Sequence, residues 1–175
     1  MKYIILFIII LFGSCKTKQI VMNYSLSTEN LPEQGCEGTV LFKIFSYGLS
    51  KQEAIERCKM EAVYAIMFEG VANSNSEKPL IKNNKLLSEK RTYFTNFFGV
   101  DNITARTRNN GQIPFGKENA PYRNFVSIAT NDNLNPNDIL RSGQLYRIGV
   151  PVSVKLHKLR KKLEEDKIIE KFGIH

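Results

Sequence analysis

The stretch GTVLFKIFSYGLSKQEAIERCKMEAVYAIMFEG, Gly38 to Gly70, decides the fold class. Thr39 to Tyr47 is rich in β-branched and aromatic residues and stops at Gly48, a residue suited to the positive φ angles of turns, so a strand is expected there. Ser50 with Glu53 three places on is the Ser-x-x-Glu capping box, in which hydroxyl and carboxylate satisfy the orphaned amides of a helix start. At about 100° per residue, Ala54, Cys58, Ala62 and Ala65 fall on one stripe flanked by Ile55 and Ile66, while Glu56, Arg57 and Lys59 lie away from its centre. Small side chains let a helix approach a sheet closely. The helix is therefore expected to lie across the sheet that holds its own preceding strand, and the stripe reads as packing rather than as a cofactor box.

A second strand–helix unit closes the chain. Tyr146, Ile148, Val150, Val152, Val154 and Leu156 alternate with Arg147, Gly149, Pro151, Ser153 and Lys155, the period of two of a strand with one buried and one wet face. Pro151 lacks a ladder donor, which points to an edge strand, a bulge, or a place where the missing donor would face outward. Leu159, Leu163, Asp166 and Ile169 then describe an amphipathic helix ending near Gly173.

Between the two units, Val71 to Lys85 has the composition of an exposed loop. Ser88 is expected to cap a short helix through Phe98, with Tyr93, Phe94, Phe97 and Phe98 gathered on one buried side. Asp101 to Ala120 reads as loop with a short strand at Ile103 to Thr107. Phe125 to Thr130 reads as strand, and Asn131 to Asn137 as a turn-rich connection. The fold class is α+β: a small antiparallel-leaning sheet covered by helices, with strand–helix units at 38–70 and 145–171.

The chain of 175 residues, 42% hydrophobic, is long enough for one core and too short for two comfortable ones. Its 25 basic and 17 acidic residues give a net charge of +8. That balance suits anionic surroundings such as lipid headgroups, wall polymer or nucleic acid. The densest basic cluster, Lys155, Lys158, Arg160, Lys161 and Lys162, runs straight into Glu164, Glu165 and Asp166 and reads as a solvated helix face.

Residues 1–14, MKYIILFIIILFGS, have one positive residue, an apolar run too short to span a bilayer, and small residues after it. This is the pattern of a signal peptide. Leu11, Phe12, Gly13, Ser14 and Cys15 resemble the bacterial lipobox, which implies cleavage before Cys15 and its acylation. Lys16 follows, with no Asp resembling the inner-membrane retention signal, so the expected location is the outer membrane, facing the periplasm. Polar residues and Pro32 between Gln19 and Gln34 suggest a tether over 15–37, ahead of a single domain over 38–175.

The early strand, the helix with Ala54, Ala62 and Ala65, and the late strand Tyr146 to Leu156 followed by a helix resemble the LPP20 lipoprotein family and the related N-terminal domain of the flagellar protein FlgT. The resemblance covers roughly Gly38 to Leu163 and is interrupted by Val71 to Ala120. It implies an envelope or assembly protein and supplies no catalytic residue.

The residues themselves offer little chemistry. His157 and His175 stand apart, and no His/Cys pair has metal-ligand spacing, so no metal and no cofactor are expected. Cys36 would lie about 30 Å below the turn and Cys58 about 12 Å down the helix, too far apart for a disulfide. Cys58, on a packing face without a base, reads as buried and inert. Glu164 and Glu165 are adjacent on a helix and point apart, so they do not flank a substrate. Gly99, Gly111 and Gly116 lack the spacing of a phosphate loop. Tyr122, Arg123 and Phe125 are too thin a set for nucleic acid, and export removes that partner.

The expectation is a lipid-anchored periplasmic envelope protein, attached through Cys15, that meets other envelope proteins and catalyses nothing. The alternative is a binder of wall polymer or another anionic ligand through converging Arg106, Arg108 and Arg123. An envelope enzyme is the third possibility.

Overall fold

The computed structural model describes residues 27–31, 37–83, 85–100, 116–129 and 134–171. The elements run β1 (Ser27–Asn30), β2 (Val40–Gly48), α1 (Lys51–Tyr64) prolonged by a π-helical turn (Ala65–Glu69), α2 (Leu86–Glu89), α3 (Arg91–Phe98), a 3₁₀ turn (Pro121–Phe125), β3 (Val126–Ile128), a second 3₁₀ turn (Pro136–Asp138), β4 (Ile139–Ser142), β5 (Leu145–Val154) and α4 (Leu156–Glu165). The five strands form one curled antiparallel sheet in the order β1-β2-β5-β3, with β4 also on β5. The fold is therefore α+β, as the two strand–helix units suggested.

β2 and β5 pair along their whole length, from Val40↔Val154 to Gly48↔Tyr146. Directly opposed residues share a face, so Phe42 and Ile44 stand beside Val152, Val150 and Ile148 on the helix-covered side, all fully buried. Ala54, Cys58, Ala62 and Ala65 of α1 are fully buried as well. Ser50 caps α1 by accepting from the Glu53 amide at 3.1 Å, and the Glu53 carboxylate accepts at 2.8 Å from Leu49, one residue before the cap.

Several expectations change. Gly48 is the last residue of β2 and has no positive φ; it is required by space, since a Cβ there would lie 2.5 Å from the Ala54 nitrogen. β5 is a central strand rather than an edge. The N–H and C=O of one strand residue point to the same side, and the Pro151 carbonyl accepts from Ala129 at 2.9 Å. The missing donor thus faces the flank shared by β3 and β4, in the gap between their registers, which end at Val152 and Ile148.

The segment after Gly70 is anchored rather than an exposed excursion. The π turn closes with the Gly70 amide on the Ala65 carbonyl (2.7 Å), and the Ile66 and Met67 carbonyls accept from the Leu80 (3.1 Å) and Ile81 (2.8 Å) amides. Val71, Ser76 and Ile81 are buried. Ser88 does not cap a helix; it lies inside α2 and its hydroxyl donates to the Lys85 carbonyl, while α3 starts at Arg91.

α3 and α4 share one way of ending, in which a left-handed residue lets two amides turn back onto the last carbonyls. After α3 that residue is Gly99. After α4 it is Lys167, with the Lys167 amide on Glu164 (3.1 Å) and the Ile168 amide on Leu163 (2.8 Å), so α4 stops well short of Gly173. Two strands lay outside the sequence reading: β4, and β1, which brings Ser27–Asn30 of the expected tether into the sheet against Phe45 to Phe42. The strand expected at Ile103 to Thr107 lies outside the described residues.

Phe94, Phe97 and Phe98 are buried and Tyr93 is half-buried. Tyr64, Phe68, Phe94, Phe98 and Tyr122 form a chain of ring contacts between α1, α3 and the first 3₁₀ turn, with centroids 4.7 to 6.0 Å apart. They are core, not the floor of a pocket.

Candidate functional site

The side chains that carry chemistry are mostly drawn into the protein. The Cys58 thiol is free and lies 3.5 Å from the carbonyl oxygens of Ile44 and Ile148, to either of which it can donate. Burial pushes it well above the usual thiol range, and the neighbouring Glu61 carboxylate adds to the effect. A thiol held neutral in this way is a poor nucleophile. Glu61 is itself buried and accepts from the Ser46 hydroxyl at 3.2 Å. That pair was missed in the sequence because Glu61 looks like one more charge on an amphipathic helix.

Arg123, one of three arginines expected to meet an anion, turns its guanidinium inward. It pairs with Glu56 and donates to the Gly116 and Lys117 carbonyls, each at 3.1 Å. Glu56 also meets Lys59 at 2.8 Å. Burial raises the Glu56 carboxyl, but the hydrogen bonds and charges of Lys59 and Arg123 outweigh it and hold the group below its ordinary value. Beside them the buried Tyr122 hydroxyl has no hydrogen-bond partner among the described residues, and burial pushes it up to about 12. Arg106, Arg108, Cys15 and Cys36 lie outside the described residues. Among the described residues no group of three or more His, Cys, Asp and Glu is placed to hold a metal ion.

An open polar surface lies at the C-terminal end of α1, where two adjoining cavities of about 530 and 720 Å³ share Leu80, Lys82 and Arg160. One wall is the 74–83 segment, fixed by the bonds from Leu80 and Ile81 to the π turn. The other is α4 with the turn after it. Gly38, at φ 77°, bends the chain into β2 and accepts from the His157 amide at 3.1 Å, which locks the first turn of α4 to the sheet. Lys78, Lys82, His157 and Arg160 line the first cavity, with Glu77 as its carboxylate. Leu80, Leu86, Ile168 and Ile169 line the second, with Lys171 and Glu170. Arg160 stands 3.9 Å from Glu164.

No family model matches the chain. No curated protein and no solved structure matches it either.

Of the basic cluster on α4, then, Arg160 alone lines the cavities, while Lys162 pairs with Asp166 at 2.8 Å and Lys155 donates to the Asn124 carbonyl at 3.3 Å. Lys78 and Lys82, flanking Pro79, Leu80 and Ile81, are the residues the sequence reading passed over. Their signal was an apolar pair between two lysines in a segment otherwise polar.

Proposed function

We propose that this chain is a lipid-anchored envelope protein, attached to the outer membrane through an acylated Cys15 on the periplasmic side, that works by recognition rather than by catalysis. The observation that carries the reading is the division of its polar groups. Cys58, Glu61, Ser46, Glu56 and Arg123 are engaged within the fold, while Lys78 and Lys82 border open cavities beside Arg160, which pairs with Glu164. The resemblance to LPP20-type lipoproteins supports an assembly role with other envelope proteins.

A second reading, binding of an anionic ligand, is favoured by the cation-lined cavities rather than by Arg123. A photoreactive residue at Lys78, in cells that make the chain, tests both readings against a control at Lys51, at the opposite end of α1. Recognition predicts a discrete adduct from position 78 alone: a protein adduct for the assembly reading, a small adduct for the ligand reading. Identical adducts from both positions, or none from position 78, would count against recognition at this face.

A further inference from the structure

Among the described residues the exposed large hydrophobic side chains are Leu49, 65% exposed, and Leu140, 53% exposed. Both fall at one end of the sheet. Leu49 follows Gly48, the last residue of β2, and Leu140 stands in the row Tyr47, Arg147, Leu140 across β2, β5 and β4. Beside Leu140 the β4–β5 hairpin turns through Gly143 at φ 61°, and Arg141 to Gln144 are all exposed. The carboxylates next to the two leucines are taken: Glu53 accepts from the Leu49 amide and pairs with Arg57, and Asp138 pairs with Lys43. Lys51 and Arg141 pair with no carboxylate among the described residues, and the Arg141 guanidinium rests over the Tyr146 ring at 5.6 Å. Two apolar tips with cations beside them match a protein face poorly, since that needs a broad continuous contact. They match a bilayer surface well, since that needs only shallow apolar insertion and cations near the headgroups.

The course of the chain favours the same end. β1 runs antiparallel to β2 with Ser27 opposite Phe45 and Asn30 opposite Phe42, so the chain enters β1 from the Gly48 side. Residues 16–26, between Cys15 and Ser27, reach at most about 40 Å even fully extended. An acyl group on Cys15 therefore keeps the domain beside the membrane and makes contact with lipid an intramolecular event. We propose that this end of the sheet docks on an anionic bilayer surface, with Leu49 and Leu140 sunk among the headgroups and Lys51 and Arg141 against their phosphates. The nine residues of β2, about 30 Å, then separate the lipid from the cavities beside Lys78 and Lys82, which are held out toward the periplasm. The lipid beneath Lys51 is a mixture, so a photoreactive residue there yields a heterogeneous set of lipid products rather than a discrete adduct. The inference rests on the acylated Cys15 proposed above.

The chain has no tryptophan, so Leu49→Trp and Leu140→Trp each place a single fluorescent reporter at a tip, and Lys78→Trp places one at the far end as a control. The acylated full chain is reconstituted in phosphatidylcholine vesicles containing phosphatidylglycerol, and quenching by lipids with brominated acyl chains is read. Quenching should be strong at positions 49 and 140, at least about threefold weaker at 78, and reduced by a similar factor when phosphatidylglycerol is left out or Arg141→Glu is introduced. Either tip reporter serves if the other variant is poorly folded. Equal quenching at 49 and 78, none at either tip, or quenching indifferent to both phosphatidylglycerol and Arg141→Glu would each overturn the inference. So would a blue shift at 49 that grows with protein density and resists the brominated lipid, since a second copy would then be covering the tips. Acyl label on a chain whose tips are not quenched removes this inference alone, whereas a chain that carries no acyl label removes the anchor reading with it.

Discussion

The Phe45 ring lies against Gly149, its directly opposed partner on the sheet face away from the helices, so closely that a Cβ at 149 would sit 2.4 Å from the ring. Arg147 stacks over the same ring at 4.2 Å, which leaves Phe45 buried on a face expected to be wet. Gly149→Ala should therefore destabilise by about 1–3 kcal/mol through overpacking. In a Phe45→Ala background the same change should cost far less. Denaturant melts of the double-mutant cycle measure the coupling, and equal costs in both backgrounds would remove the ring as the cause.

Val152 is fully buried between β2 and β3, whereas Ser153 is half-exposed on the other face. Val152→Ala removes two methyl groups from a packed site and should cost about 1–3 kcal/mol. Ser153→Ala should stay within about 0.5 kcal/mol. Urea melts of the two single variants decide it: similar losses would mean that both faces of β5 are covered at this point.

Much of this was legible. The strand from Val40, the cap at Ser50, the Ala54–Ala65 stripe and the alternation from Tyr146 to Val154 are written in periods that survive folding, because each element buries the face its sequence marks. Gly149 and Pro151 were harder. Each depends on what stands opposite in the sheet, and register comes from tertiary pairing rather than from local pattern. The cavities beyond the π turn were hardest, since Lys78, Lys82, Arg160 and Ile168 come from separate segments that the π turn, the Gly38–His157 contact and the left-handed Lys167 help to bring together.

The Cys58 thiol should resist modification in the folded chain. Its solvent accessibility is nil and burial raises its pKa, so both access and thiolate fraction oppose reaction. Mass mapping after brief exposure to an alkylating agent should find Cys58 unmodified without denaturant and modified with it. Rapid native labelling would contradict its packing beneath Ile44 and Ile148.

Glu56 gives a signed pH dependence. Its folded pKa is depressed below the ordinary 4.5, so the stabilisation from Lys59 and Arg123 is fully present above that value and is lost as pH falls through the folded pKa. Thermal melts of the native chain and of Glu56→Gln should differ by a constant amount from neutral pH down to 4.5 and converge as pH falls from there through the folded pKa. A gap that stays constant into strong acid would show that the carboxylate's charge is not what stabilises the cluster.

Tyr93 donates to Asp166 at 2.6 Å and Lys162 holds the other carboxylate oxygen at 2.8 Å, tying α3 to the end of α4. Tyr93→Phe should loosen this link by about 1–2 kcal/mol, the range for a hydrogen bond to a charged group reduced by partial exposure. Amide exchange at Lys167, Ile168 and Ile169 should quicken relative to the β2–β5 ladder. Unchanged exchange there would mean that the turn after α4 holds without the tyrosine.

The functional account turns on attachment of the domain to a membrane through Cys15, and labelled-palmitate incorporation with fractionation of the native and Cys15→Ala chains tests it most directly. The account predicts label and membrane partition for the native chain, and an unlabelled, unprocessed or soluble product for the variant. Equal label and equal membrane partition in both would contradict it.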